Sequence, residues 1–344
     1  MILLMLIALS LLTACSKEGD TKEAGSEQEL LTPTSLPKPS VTQPLKDKIK
    51  VKIAALKGPT AIGMVKVMED SQTASTTNDY DFTIAGAPEE ITVGLVKGKF
   101  DIAAIPCNLA AILFNKTGGT VKMAGINTLG VLYIVETGNA IHSVEDLKGK
   151  TIYSTGLGAT PQYILNYILT SHGLDPKKDL KIEYKAEATE VASILEKADN
   201  AIAMLPQPFV TTAMMKNNRL RIALDMEKEW KMVTKDDSSV VTGVVVVQQN
   251  FIKEHKEAFD AFMKEYETSV NFIASNPGEA SELVEKFDIF KAAPIRKALP
   301  MCNITLIQGE EMINKTNSYL NILFKQDQKS IGGKFPSKDF YYIP

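Results

Sequence analysis

The feature that most limits the possible folds of this 344-residue chain is a repeat within its own sequence, at an offset of one hundred residues. When residues 79–106 are laid on residues 179–206, seven of 28 positions are identical, where average residue frequencies give roughly two. The two segments are therefore predicted to belong to two structural units of the same kind. The identical pairs are Asp79/Asp179, Glu90/Glu190, Leu95/Leu195, Lys97/Lys197, Ile102/Ile202, Ala103/Ala203 and Pro106/Pro206.

The apolar residues of each unit predict the same order of strands and helices. The segments that begin at Lys48 and Lys150 read as strands, and each runs into a loop and then a helix. Two more strand–helix pairs follow in each unit, and the last strand ends at proline, in DIAAIP and in AIAMLP. Strands that alternate with helices are typical of parallel sheets with right-handed crossovers. We therefore predict an α/β protein of two lobes, each a mostly parallel sheet flanked by helices, with a ligand cleft between them.

The chain is expected to cross between the lobes twice. The segment VLYIVE at 131–136 and the β-branched run VVTGVVVVQ at 240–248 are predicted as strands, and the helical C-terminal part is expected to return to the first lobe. This predicts a first lobe made of 47–132 and 245–344, and a second lobe made of 133–244.

The N-terminus is predicted to be a lipoprotein signal. Residues 1–14 contain an apolar run that suits a signal peptide and is short for a membrane-spanning helix. The sequence LTAC, ending at Cys15, resembles the bacterial lipobox, in which the cysteine is diacylated, although no Lys or Arg precedes it. Residues 15–46 have too few apolar side chains to fold and are expected to be a flexible tether. We expect lipid anchoring at Cys15, on the extracytoplasmic face of the cell membrane.

Candidate ligand-binding residues lie in the loops that follow the predicted strands, where open α/β sheets bind their ligands. Glycine there permits close approach of the backbone, Thr and Ser offer hydroxyls, and helix starts present N–H groups that favour an anionic or strongly polar group. Asn108 and Gln207 are candidates for direct hydrogen bonds, and Lys57 is the one cation of the first loop. The expected set is Lys57, Gly58, Pro59, Thr60, Ala61, Cys107, Asn108, Ser154, Thr155, Gly156, Gly158, Ala159, Thr160, Pro206, Gln207, Pro208, Thr242 and Gly243.

Sequence motifs of the common catalytic and metal sites do not occur. The loop TGLGATP has Pro161 where a dinucleotide-binding fingerprint needs glycine, and GKT at 149–151 lacks the earlier glycine of a phosphate-binding loop. His142, His172 and His255 all lie outside the predicted cleft loops. We therefore predict binding without catalysis, with no metal and no cofactor. The formal net charge of −3 gives no reason to expect a nucleic-acid partner.

Other residues are assigned to packing, or left open. Cys107 and Cys302 are better explained as two small buried side chains than as a disulfide. Trp230, the sole tryptophan, lies in a polar stretch, and its role stays open between a lid and a surface anchor. A stripe at helical spacing is predicted to pack in the core: Phe259, Phe262, Tyr266, Val270 and Ile273.

With these segments the sequence resembles the solute-binding proteins of bacterial ABC importers, in the nitrate, sulfonate, taurine and thiamine-precursor-like group. The resemblance covers roughly 47–344 and rests on KGPTAIGMVKVM, GKFDIAAIP, SVEDLKGKTIYSTGLGATPQYIL and MLPQPFVTTA. It implies a type II periplasmic-binding fold that closes on a small solute. It also implies an ABC permease and its ATPase as partners of a monomeric protein.

The resemblance leaves the solute open between a sulfonate-, nitrate- or taurine-like anion and a heteroaromatic vitamin precursor. Sulfonate and carboxylate binders often use an arginine, and here no arginine occurs before Arg219. Two rival functions remain, an enzyme that resembles the yeast-type pyrimidine-precursor synthase on the same fold, and a sensory ligand-binding lipoprotein. The cysteine-rich motif and the active-site histidine of that synthase have no counterpart in this sequence.

Overall fold

A computed structural model describes residues 48–234 and 238–344, so Cys15, the predicted signal peptide and the predicted tether lie outside the described residues. The strands are β1 (Lys50–Leu56), β2 (Asp79–Ala85), β3 (Ile102–Pro106), β4 (Val121–Thr128), β5 (Leu132–Thr137), β6 (Thr151–Thr155), β7 (Lys181–Lys185), β8 (Ile202–Pro206), β9 (Leu220–Asp225), β10 (Gly243–Gln248) and β11 (Ile304–Ile307). The helices are α1 (Pro59–Ile62), α2 (Val65–Gln72), α3 (Pro88–Val96), α4 (Cys107–Lys116), α5 (Thr160–Ser171), α6 (Ala188–Lys197), α7 (Phe209–Lys216), α8 (Met226–Thr234), α9 (Gln249–Ser275), α10 (Pro277–Lys286), α11 (Ala292–Ala298) and α12 (Gly309–Gln326). Short 3₁₀ turns occur at Glu145–Leu147, Leu299–Met301, Gln328–Ile331 and Lys338–Phe340.

These strands form two separate sheets, one in each lobe. The first sheet has the order β11-β4-β10-β3-β1-β2, and the second has the order β7-β6-β8-β5-β9. Within the first sheet, β1 pairs in parallel with β2 and β3, whereas β10 is antiparallel to β3 and β4. Within the second, β6 pairs in parallel with β7 and β8, whereas β5 is antiparallel to β8 and β9. Both sheets are therefore mixed, because the strands that follow the chain crossings, β10 and β5, run antiparallel to the neighbouring parallel triplet.

The two parallel triplets confirm the fold predicted from the repeat. The orders β3-β1-β2 and β8-β6-β7 are equivalent. The helices α3 and α6 begin at Pro88 and Ala188, and the strands β3 and β8 begin at Ile102 and Ile202, in each case one hundred residues apart. The same apolar spacing has thus produced the same β-α-β-α-β-α arrangement twice.

The chain passes from one sheet to the other at two places. Residues 129–131 connect β4 to β5, and α8 with the segment after it leads from β9 to β10. The strands that enter a new sheet begin at Leu132 and Gly243. The lobe bounds 47–132, 133–244 and 245–344 stay a prediction.

The C-terminal helices pack on both lobes. The helix α9 packs on α2 and β10, and its predicted stripe is buried, as expected for core packing. The helices α11 and α12 lie against α7 and α5 of the second lobe, respectively. The return of the chain is therefore not confined to the first lobe. In the described part of the chain, no helix has the length and apolar character needed to cross a membrane.

Trp230 is fully buried, so a lid and a surface anchor are both wrong interpretations of this residue. Its indole N–H donates to the Ser238 hydroxyl at 3.1 Å. Its ring centroid lies 5.0 Å from that of Tyr167 and 5.6 Å from that of Tyr319. The surrounding sequence is polar, but α8 is amphipathic and turns Met226 and Trp230 inward.

Candidate ligand-binding site

A cleft with about 780 Å³ of empty space, counting its open side, lies between the two lobes. Its walls are the β1–α1 and β2–α3 turns of the first lobe and the equivalent β6–α5 and β7–α6 turns of the second. The chain crossings add Val131, Leu132 and Thr242 to the same lining. Twin loops on two sheets thus converge on one space, at the carboxyl ends of the parallel strands.

Ten of the eighteen predicted binding residues line this cleft. They are Lys57, Gly58, Pro59, Thr60, Thr155, Gly156, Ala159, Thr160, Pro206 and Thr242. The other lining residues are not in the set predicted from the sequence: Leu56, Gly86, Pro88, Pro106, Thr128, Val131, Leu132, Pro161, Ala186, Ala188 and Phe209. The sequence contained a signal for only some of these residues. Gly86, Ala186 and Ala188 closely follow the second strand of each unit, and ligands of open α/β sheets bind at such strand ends.

Asn108 is one of the predicted residues that do not line the cleft, because its side chain is occupied by the protein. The residue is fully buried. Its amide nitrogen donates to the carbonyl oxygens of Gly158 and Ser330, both at 3.1 Å. Its amide oxygen accepts from the Thr160 hydroxyl at 3.3 Å. Asn108 therefore ties the first lobe to the β6–α5 loop of the second, and Gly158 serves as its acceptor.

Gln207 and Ser154 are likewise turned inward. The Gln207 amide oxygen accepts from the backbone N–H and the hydroxyl of Thr211, at 3.2 and 2.8 Å, and so satisfies donors in the first turn of α7. The Ser154 hydroxyl is buried and donates to the carbonyl of Thr155 at 3.3 Å. Pro208 occupies the position just before α7 and also lies outside the cleft lining.

Three further predicted residues lie behind the cleft wall. Ala61 and Cys107 are fully buried. A Cβ on Gly243 would lie 2.6 Å from Asn127 Oδ1 and 2.8 Å from Thr60 Cγ2, so glycine is needed here for close packing of the wall. Burial raises the pKa of the Cys107 thiol, and it raises that of Cys302 to about 12. Both thiols are free, as expected from the sequence.

Among the described residues that line the cleft, Lys57 is the only charged one. Its side chain is partly buried, and Nζ lies 5.6 Å from the ring centroid of Phe290. No carboxylate of residues 48–234 and 238–344 lies within salt-bridge distance of Nζ. The Thr60 hydroxyl donates to the Leu56 carbonyl, whereas the buried Thr242 hydroxyl has no hydrogen-bond partner in the described part of the chain. The cleft thus combines a neutral, mainly apolar wall with one cation and few free hydroxyls.

The same two-lobed architecture occurs in solved structures. An ABC transporter protein from Parabacteroides distasonis shares 24% identity and a TM-score of 0.71, over 86% of this chain and 99% of that one. The periplasmic aliphatic sulphonate-binding protein SsuA from Escherichia coli shares 14% identity and a TM-score of 0.67, over 86% and 92%. The alkanesulfonate-binding protein SsuA from Xanthomonas axonopodis pv. citri, solved with MOPS bound, shares 12% identity and a TM-score of 0.66, over 82% and 94%.

These structural likenesses, with the paired sheets and the cleft between them, decide the fold. This is the type II periplasmic-binding fold. Residues 120–280 also match the family model described as NMT1/THI5 like. This match confirms the resemblance to the thiamine-precursor-like group that was seen in the sequence. A search of curated proteins gave no match. Because the identities are 24% or lower, the likenesses establish the fold alone.

Within this periplasmic-binding fold, prolines form much of the cleft wall. Pro59, Pro88 and Pro161 each occupy one of the first two positions of α1, α3 and α5. Proline has no N–H, so these helix starts offer fewer donors to a ligand than we expected from the sequence. Pro106 and Pro206 add two more rings at the ends of β3 and β8. The wall is therefore rigid and poor in hydrogen-bond donors.

None of the described residues that line the cleft is a His, Cys, Asp or Glu. Within 48–234 and 238–344 there is also no group of three or more such side chains that could hold a metal ion. The described lining thus offers hydroxyls and one ammonium group, an arrangement suited to holding a molecule by shape, by apolar contact and by one charge.

Proposed function

We propose that this protein is the solute-binding component of an ABC importer. It is held on the extracytoplasmic face of the cell membrane by acyl chains on Cys15, captures a small organic solute in the cleft, and delivers it to a permease with its ATPase. The observation that carries this proposal is the single cleft into which the equivalent turns of two twin lobes converge. The names of the similar structures, an ABC transporter and two sulfonate-binding proteins, support it.

Capture would work by closure of the lobes, 47–132 with 245–344 against 133–244. The strands near 131–136 and 240–248 are the places where the lobes would rotate. Only a ligand that contacts both lobes favours the closed arrangement over the open one. Lys57 and Thr60 on one wall, with Thr155 and Thr160 on the other, provide such contacts.

The solute is proposed to be a sulfonate-, nitrate- or taurine-like anion or a heteroaromatic vitamin precursor. A thermal-shift screen of purified protein against sulfonates, vitamins, pyrimidines and amino acids tests this. A true solute binds the folded state alone and raises Tm as its concentration rises. If no compound of any class raises Tm, the proposal of a solute-binding protein is contradicted.

Anchoring and partners need their own test. A Cys15→Ala variant is expected to leave the membrane fraction and to lose labelling by a palmitate analogue, whereas Cys302→Ala keeps both properties. Crosslinking in membranes is expected to recover a permease with its ATPase. Recovery of a histidine kinase instead would favour the sensory alternative.

An enzyme on the same fold is the other alternative. A synthase needs a general acid or base at its reacting atoms, and Lys57 is the only titratable side chain that lines the described cleft. Turnover of a pyrimidine precursor by the purified protein would favour the enzyme.

A further inference from the structure

We propose that the solute is an organic monoanion, with its one charged group at Lys57 Nζ and an uncharged, apolar body against the proline wall. This proposal rests on the proposed function and narrows its solute class. It excludes dianions, cations and zwitterions such as taurine, and also neutral vitamin precursors.

The charge follows from the balance of groups in the cleft. Lys57 is the one charged side chain in the lining, and it has no carboxylate partner within salt-bridge distance in the described part of the chain. A partly buried ammonium without a counter-ion loses hydration and gains little in return, so a ligand anion would supply the missing partner. A second negative charge would find no second cation. A positive group would find no acid among the described lining residues, and the Glu187 carboxylate beside the cleft already accepts from the Thr189 hydroxyl at 3.0 Å.

The body of the solute follows from the wall. Five prolines line the cleft, and they present carbon rather than N–H groups. Phe209 adds an aromatic side chain to the lining and packs edge-on against Phe290, with ring centroids 4.9 Å apart. Since Phe290 also lies under Lys57 Nζ, at 5.6 Å, the cation sits at the end of an apolar surface that spans both lobes. An anionic head joined to an apolar, preferably planar, body matches this order of groups.

Charge series on a fixed body test the proposal. One set contains benzoate, benzenesulfonate, benzamide, terephthalate and 4-(aminomethyl)benzoate, and parallel sets use pyridine, pyrimidine and butyl bodies. In the set with the largest rise in Tm, we expect the monoanions to rank first. Comparison of the carboxylate with the sulfonate on the same body then shows which of the two anionic groups binds better. A neutral, zwitterionic or dianionic member in first place overturns this proposal but leaves the proposed function standing. No rise in any set counts against both.

Variants of Lys57 assign the effect to its ammonium group. Lys57→Met is expected to weaken binding of the best monoanion by about 10- to 100-fold, and Lys57→Arg to restore most of it. Binding to the wild type is also expected to weaken with added salt, and Lys57→Met to lose that dependence. Lys99→Met is the matched control, because Lys99 Nζ lies 5.0 Å from the Phe100 ring outside the cleft. Equal affinity in Lys57→Met and Lys99→Met would overturn the proposal.

Discussion

Glu187 of the second lobe lies against the backbone of Gly86 in the first. A Cβ on residue 86 would be 2.8 Å from the carboxyl carbon of Glu187, a separation too short for a real contact. Thr189 holds this carboxylate by donating to it at 3.0 Å. Because Gly86 and Ala186 are equivalent in the repeat, the contact joins the twin β–α turns of the two lobes beside the cleft. The approach of the lobes thus depends on the missing side chain at position 86.

A Gly86→Val substitution is therefore expected to hold the lobes apart. Overpacking costs about 1–3 kcal/mol, so solute affinity measured by calorimetry is expected to fall about tenfold or more, with little change in the stability of the solute-free protein. Glu187→Ala in the same chain is expected to restore affinity by removing the opposing carboxylate. The control Gly278→Val faces open space. Wild-type affinity in Gly86→Val would contradict the role of this contact.

Asn108→Ala is expected to loosen the two lobes from each other. The change removes three hydrogen bonds, two of them buried, and each buried partner left unsatisfied costs about 1–3 kcal/mol. Urea unfolding is expected to show a loss in that range or above, accompanied by weaker solute binding. Asn115→Ala is the matched control, since the Asn115 amide nitrogen donates to the carbonyls of Ile331 and Lys334, both at 2.7 Å. Its loss of stability should leave affinity unchanged, and equal affinity losses in both variants would argue against a bridging role for Asn108.

The Glu145–His172 pair predicts a pH dependence of stability. The carboxylate lies 2.7 Å from His172 Nδ1, and this hydrogen bond, together with those from the Glu145 backbone N–H and the Ser143 side chain, lowers the pKa of Glu145 from 4.5 to about 2. Because the folded pKa lies below the unfolded one, the stabilisation is present above 4.5 and is lost as the pH falls towards 2. In urea titrations, the stability advantage of wild type over Glu145→Gln should shrink across that interval. The exposed control Glu89→Gln should show no comparable change, and a pH-independent difference for Glu145→Gln would contradict the assignment.

The architecture was predictable because the sequence repeats at an offset of one hundred residues. A buried strand that ends in proline, followed one hundred residues later by another, fixes both the element order and the approximate place of the cleft. Pro106 and Pro206 also marked equivalent strand ends, although only Pro206 was predicted to bind the ligand, and both line the cleft. The strands at 131–136 and 240–248 were predicted from their runs of apolar and β-branched residues.

Side-chain direction was not predictable in the same way. Asn108 and Gln207 follow strands at equivalent positions, but the turn of each following helix points them into the protein, where backbone groups need their hydrogen bonds. Phe290 is brought beside Lys57 by packing of the C-terminal segment, and no local spacing near either residue indicates that contact. Trp230 was missed because its neighbours in sequence are polar while its neighbours in space are Tyr167 and Tyr319.

The most direct test of the central claim, that one solute is held between twin lobes, uses a compound that raises the Tm of the wild type. Thr60→Trp and Thr160→Trp each place a large ring in one wall of the cleft, and Thr268→Trp places the same ring on the exposed face of α9. We expect the solute-induced rise in Tm to disappear in both cleft variants and to persist in Thr268→Trp. An undiminished rise in both Thr60→Trp and Thr160→Trp would contradict the claim.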